Sequence, residues 1–272
     1  MIRKFMLISG ASGLLLYKTS FEIESSDRIQ QPDGKSGLVA GLITALIDFS
    51  QKQIQVPFTH MKFETLALHV VDMMVFVSRS QQQRVICCLE SDSEDDERFG
   101  RLVASELLFA FVDEYAEKLA DMSARAENYE ALFQEFSSKI YFIMENLATP
   151  IMRDLEEKEG VKYAILLKPS MSEYDYNILS AVWYPVRHPN HTVVLAEVQS
   201  FLNVAADIMS DSSSSMVSAK LGKNILIRKL EKATLVVVCR SAASYKARLP
   251  DIERCISSLR HVFGLLDFLK GT

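Results

Sequence analysis

The chain opens on alternating short runs of apolar and polar residues. Phe5-Met6-Leu7-Ile8 follows Arg3-Lys4 and stops at Ser9-Gly10-Ala11-Ser12-Gly13; Leu14-Leu15-Leu16-Tyr17 then resumes. Two apolar runs about a Gly/Ser turn predict a β-hairpin, with strands over 2–9 and 13–23. After a polar loop over 24–33, an apolar stretch predicts a helix over 35–53. Val-, Phe- and Met-rich stretches predict strands over 58–71, 73–80 and 84–90, with a turn at Val71-Asp72. Leu102, Leu108, Phe109, Val112, Tyr115 and Leu119 recur at helical spacing and predict a helix to about residue 122. Tyr129, Leu132, Phe133, Phe136, Ile140, Ile143 and Met144 predict another over 125–147.

The second half repeats the order. Thr149 as cap and Pro150 at the first helical position predict a short helix ending at Gly160. Strands follow over 161–168 and 177–186, then a helix over 192–210 and a serine loop, 212–215. Three strands come next, over 216–221, 224–232 and 233–240. A last helix starts after Leu249-Pro250-Asp251 and runs to about 269. The order β-β-α-β-β-β thus occurs twice, with no repeat of residues. The expected fold class is α+β: two units, each a five-stranded antiparallel sheet with helices packed on it. The expected boundary is near 147–150, giving a unit 1–148 that includes two long helices and a unit 149–272.

Composition narrows the function classes. A length of 272 residues suits one large domain or two small ones. A hydrophobic share of 49% with 24% charged residues excludes a mostly disordered chain. The net charge of −5 lacks the basic excess of a nucleic-acid binder. Four cysteines, two of them adjacent, suit reduced thiols and a cytoplasmic location. No apolar run reaches the roughly 18–20 residues that span a bilayer; the densest is Gly37–Ile47. The N-terminus reads as a hairpin rather than a signal peptide, so Asn190-His191-Thr192 carries no glycosylation meaning. With no lipidation signal, membrane contact is expected only peripherally, through partners.

Residue types that could do chemistry do not assemble. Asp33-Gly34-Lys35-Ser36 has the end of a phosphate-binding loop, but Ile29 stands where its first glycine is needed. His188 and His191 lack a third ligand at metal spacing. His60 and His69, read on one strand at odd spacing, point to opposite faces. Cys87, Cys88, Cys239 and Cys255 read as buried structural thiols. The acidic run 91–97 reads as a solvated helix start capped by Ser93, with Ser91 and Ser93 as phosphorylation candidates. No nucleophile with a partner and no Gly-x-Ser-x-Gly elbow is present in the sequence. The expectation is a protein that is not an enzyme, with no cofactor and no metal.

One anomaly remains. In Gly37–Ile47 only Thr44 is clearly polar, so a helix there is apolar nearly all round. One face covers its own sheet; the other needs the second half of the chain or another chain. Leu38, Leu42, Ala45 and Leu46 are the candidate contact residues, with Gly41 and Ala45 permitting close approach. The helix over 192–210 carries a similar stripe of Val194, Val198, Phe201, Ala205 and Ile208.

These stretches carry a resemblance. Residues 1–122 resemble a longin domain through Met1–Ile8, the Gly/Ser hairpin, Leu14–Tyr17, the apolar central helix, and Phe58-Thr59-His60 with Val75-Phe76-Val77. That last stretch looks like the middle strands of the longin of the signal-recognition-particle receptor α subunit. Residues from about 150 to 269 resemble a roadblock domain, or a second longin, through Leu155-Glu156-Glu157, Gly160–Leu167, Asn224–Leu230 and Thr234–Val238.

The resemblance implies a non-catalytic, dimeric platform or complex subunit that binds or regulates a small GTPase in membrane trafficking. Such domains pair through the central helix and an edge strand. The positions here are Leu38–Ile47 and, in the second unit, Val194–Met209 with the strand carrying Met216 and Ser218. The implied partners are a small GTPase or another longin or roadblock protein, in a homo- or hetero-oligomer. Three other readings stay open: a coat-like or SNARE-like adaptor without GTPase contact, a ligand sensor, and an enzyme with an unrecognised site.

Overall fold

The computed structural model describes residues 1–21, 34–76, 82–120, 129–167, 182–184, 194–201, 218–221 and 224–271. These form a mixed α+β fold. Two compact units emerge: Met1–Glu145 with Leu265–Thr272, and Asn146–Gly264.

In the first unit, β1 (Ile2–Ser9), β2 (Leu15–Ser20), β3 (His60–Lys62), β4 (Leu66–Phe76) and β5 (Gln82–Asp92) form one antiparallel sheet. Its strand order is β2-β1-β5-β4-β3. The hairpin closes where Gly13, at φ +70°, donates its N–H to the Ser9 carbonyl at 2.8 Å. A side chain there would be strained. Phe5 and Leu7 point to one face of β1, Met6 and Ile8 to the other, and all are buried. A central strand covered on both faces reads as a continuous apolar run, as this one does.

Helix α1 (Gly34–Phe49) lays Ala40, Ile43 and Ile47 on Met6, Ile8, Val70, Ile86 and Cys88. A π-helical turn, Ser50–Ile54, ends it, and Gln55 adopts φ 59°. Helix α2 (Glu97–Ala120) contacts β4 and β5. Its first turn is capped by Asp96, whose Oδ1 accepts from the N–H groups of Arg98 at 2.7 Å and Phe99 at 3.3 Å. Ser93 is not the cap; its hydroxyl donates to the Glu64 carbonyl at 2.9 Å. Near its end α2 leaves helical geometry at Tyr115. There Tyr115 and Phe111 meet Phe133 and Phe136 edge to face, at centroid distances of 5.0 to 6.2 Å. The helix expected over 125–147 is in pieces: α3 (Tyr129–Leu132), a 3-10 turn (Gln134–Phe136) and α4 (Ser137–Asn146).

The expected turn at Val71-Asp72 is absent. Strand β4 runs straight through it, because Asp72 accepts from Arg84 Nε across the ladder at 2.8 Å. The turn lies instead at Phe63-Glu64-Thr65, closed by Phe63 N–H to the Leu66 carbonyl at 2.7 Å. An aspartate amid apolar residues signalled a loop, whereas its cross-strand partner makes it a strand residue.

In the second unit, β6 (Val161–Leu167), β7 (Val182–Tyr184), β8 (Ser218–Leu221), β9 (Ile225–Leu230) and β10 (Ala233–Cys239) form a second antiparallel sheet. Its order is β7-β6-β10-β9-β8, the first sheet's order counted from β6. Helix α5 (Ala148–Glu156) precedes it, α6 comprises residues 194–201, and α7 (Ala242–Gly271) ends the chain.

Two helix starts move. Leu147, not Thr149, occupies the cap of α5 without a side-chain bond, and Pro150 sits in the first turn, where no N–H is needed. Helix α7 starts well before Pro250. The Ser241 hydroxyl caps it, accepting the Ser244 N–H at 3.1 Å, and Pro250 lies inside. Gly160, at φ +92°, lets the chain pass Ser244 where an added Cβ would stand 2.8 Å from the serine Cβ.

Candidate interaction surface

The first-unit candidates fall together on α1. Leu38 is 76% exposed and Leu42 60%; Ala45 is exposed and Leu46 half-buried. Phe49, 57% exposed, continues the line. Leu38, Leu42, Ala45 and Phe49 are spaced four, three and four apart, one stripe opposite Ala40, Ile43 and Ile47. The reason is local. A helix on a sheet needs one apolar face, and this sequence supplies two. Among the described residues, nothing lies within 4 Å of a Cβ built at Gly37 or Gly41.

The second-unit candidates separate. Val194 and Val198 are buried against Tyr163, Ile165, Leu167, Ile227, Val236 and Val238, and Phe201 is half-buried on the same cluster. They pack into the core of their own sheet. Spacing alone does not say which partner a stripe meets. Glu197, beside them, accepts from the Tyr163 hydroxyl at 2.9 Å; burial, and then this carboxylate, push that phenol's pKa up. Ala205 and Met216 lie outside the described residues. Ser218 begins β8, opposite Arg228 in the ladder, on the edge strand of the second sheet.

Around α1, charge is internally paired. Arg84 bridges two elements: Nε donates to Asp72 Oδ2 at 2.8 Å and Nη1 to Asp48 Oδ1 at 3.4 Å. Lys52 Nζ lies 2.8 Å from Asp48 Oδ2 and holds that carboxyl's pKa below the usual value.

The β4 edge was not singled out from sequence. Strand β3 has 3 residues against the 11 of β4 and pairs only with Ala67–His69. Val70 N–H still reaches the Thr59 carbonyl at 2.9 Å. Pro57, two residues before Thr59, has no N–H with which to extend this ladder. Beyond it Asp72, Met74 and Phe76 are exposed, Phe76 by 73%. The signal was Pro57, obscured by the turn expected at Val71-Asp72.

The histidines also differ from expectation. His60 and His69 sit on neighbouring strands as direct partners, on one face, with ring centroids 5.1 Å apart. The turn between them reverses the parity. His69 is fully buried, and its Nε2 stands 2.9 Å from Ser91 Oγ. Ser91 Oγ in turn donates to the Asp92 carbonyl at 3.2 Å, so Nε2–H is the donor to Ser91. Nδ1 is buried without a partner. Burial, with His60 beside it, lowers the pKa of His69 to about 4.

The four cysteines are buried and free, and burial raises Cys88 and Cys255 to about 12. Such thiols stay protonated and are poor nucleophiles. Ser91, buried and engaged, is closed to modification as folded. His188, His191 and Asp33 lie outside the described residues. Among the described residues, no three of His, Cys, Asp or Glu are placed to hold a metal ion. No described helix is long and apolar enough to cross a membrane. No family model matches the chain, and no curated protein matches it either.

Proposed function

We propose that this chain is a non-catalytic interaction module, pairing through α1 as a platform or complex subunit that binds or regulates a small GTPase in membrane trafficking. The observation that carries the reading is the outward stripe of α1. Burying a leucine or phenylalanine side chain fully contributes about 1.5–3 kcal/mol. Leu38, Leu42 and Phe49 together therefore represent several kcal/mol that a partner would recover. The longin and roadblock resemblance adds the GTPase, and the repeated strand order with a helix between the second and third strands is compatible with it. That step is fold analogy. The buried thiols and the buried His69, whose Nε2 is held by Ser91, favour interaction over catalysis.

Light scattering across a dilution series tests the pairing. The expected result is a wild-type dimer that Leu42→Glu disperses into folded monomers. A monomeric wild type would end the self-pairing reading. Pulldown of GTPases loaded with GDP or with a GTP analogue then tests the platform role. Binding insensitive to nucleotide, or none, would favour the adaptor reading instead.

A further inference from the structure

The seat of α2 on β4 depends on one ring. Among the described residues, His69 Nδ1 has no hydrogen-bond partner, although the side chain is fully buried. Nε2–H is engaged by Ser91 on β5. Gly100 of α2 lies so close that a Cβ there would overlap the ring. The closed core therefore suits the neutral ring only: a proton at Nδ1 would put a buried charge where nothing accepts it. Charged groups face the ring from two sides. Strand β3 brings His60, whose Nδ1 stands 3.9 Å from Glu97 Oε2. The turn before α2 brings Asp95, and α2 itself brings Glu97 and Arg101. Helix α2 is anchored unevenly over this site. Val103, Ala104, Leu107, Leu108 and Phe111 are fully buried. In the first turn Glu97 and Arg98 are exposed, and only Phe99 and Gly100 are buried. The first N–H groups of a helix lack helical partners. Here the Asp96 carboxylate takes two of them, and the Asp96 carbonyl takes Gly100 N–H at 3.1 Å.

We propose that the first turn of α2 is an acid-opened latch: a proton on His69 is accommodated by lifting residues 97–101 off β4 while the rest of the unit stays folded. Opening lets water reach Nδ1, and Gly100 leaves the ring without dragging a side chain past it. The motion ends at Val103, where the fully buried apolar residues of the helix body begin. Little surface is exposed on the way, chiefly Phe99 and the two imidazole rings. Linkage sets the size and the sign. In an open turn the ring takes its proton near the ordinary 6.5, and in the closed turn only near 4. The open fraction therefore grows as pH falls, about tenfold per unit and roughly a hundredfold across that window.

Amide exchange of the full chain in low urea tests this, corrected for the intrinsic pH dependence of exchange. Between pH 6.5 and 4 the amides of Gly100 and Arg101 should lose about a hundredfold in protection, with almost no dependence on urea. The amides of β5 should keep the full urea slope of global unfolding. His69→Gln retains a donor for Ser91 and cannot gain a charge, so protection at Gly100 and Arg101 should stay level. His60→Gln should keep the loss, since the sensing ring is still present. Protection in the wild type that does not fall, or that falls with the urea slope of β5, would overturn the proposal. So would a loss that vanishes in His60→Gln, or one that survives in His69→Gln, since the group protonated would then be His60 or the cap Asp96.

Discussion

At the scale of single residues, His69 shows how a polar group survives in a core. Its Nε2–H is satisfied by Ser91, and Gly100 makes room for the ring: a Cβ there would stand 2.4 Å from Nε2. A proton added at Nδ1 would find no acceptor. Glu97 and Asp95 nearby favour the charged ring, while burial, His60 and Arg101 oppose it more strongly. The sign follows. The unfolded chain takes up the proton near pH 6.5 and the folded chain only near 4. Stability is therefore full above pH 6.5 and falls as pH drops toward 4, by a total on the order of 3 kcal/mol. Urea unfolding between pH 7 and 4 should show that slope. His69→Gln should flatten it, whatever its own effect on stability. A wild-type profile flat over that window would show that the ring is protonated or solvated in the fold. From sequence, His69 was only one of two histidines at odd spacing; its burial is a tertiary fact.

At the scale of elements, two helices with similar stripes behave differently. Helix α1 buries one face and leaves the other open, whereas the stripe of α6 goes into its sheet. The same substitution should therefore have opposite consequences. Leu42→Glu places a carboxylate at a position exposed in the single chain and, compared at dilutions where neither protein pairs, should change thermal stability by about 0.5 kcal/mol or less. Val198→Glu buries an unpaired charge and should cost more than about 3 kcal/mol, lowering the melting temperature or preventing folding. Differential scanning calorimetry of the two variants separates them; equal, small effects would contradict the burial of Val198. The apolar all-round character of α1 was legible in eleven consecutive residues. Periodicity reports how wide an apolar stripe is, not what faces it, so it did not show that Val194 and Val198 face their own sheet.

At the scale of the whole molecule, the last turns of α7 belong with the first unit. Phe268 meets Phe21 edge to face at 6.3 Å, and Lys270 Nζ lies 5.6 Å from the Tyr141 ring centroid. Phe21 also stacks on Phe5 of β1 at 6.1 Å. Deleting residues 265–272 should therefore weaken the first unit: amide protection in β1 and β2 should fall by roughly tenfold, from the loss of about 1–2 kcal/mol of aromatic packing. Unchanged protection there would mean that Phe268 adds nothing to that core. The sequence boundary near 147–150 could not show this, because a chain can return to an earlier unit without any mark in composition.

Some of the molecule was already determined by the order of residues. Runs of β-branched and aromatic residues broken by Gly and Ser impose the strands, and apolar periodicity of 3.6 imposes the helices. The mixed α+β class followed from these, since each is a local preference of the backbone. Tertiary structure decided the rest. Asp72 is a strand residue whose carboxylate is met by Arg84, its diagonal neighbour on β5. The two histidines came to share a face because the turn fell at Phe63–Thr65. Strand β3 pairs only with Ala67–His69, so among the described strands the second half of β4 pairs with β5 alone. Local sequence sets which way each side chain points; which groups then meet depends on pairings between residues far apart in the chain.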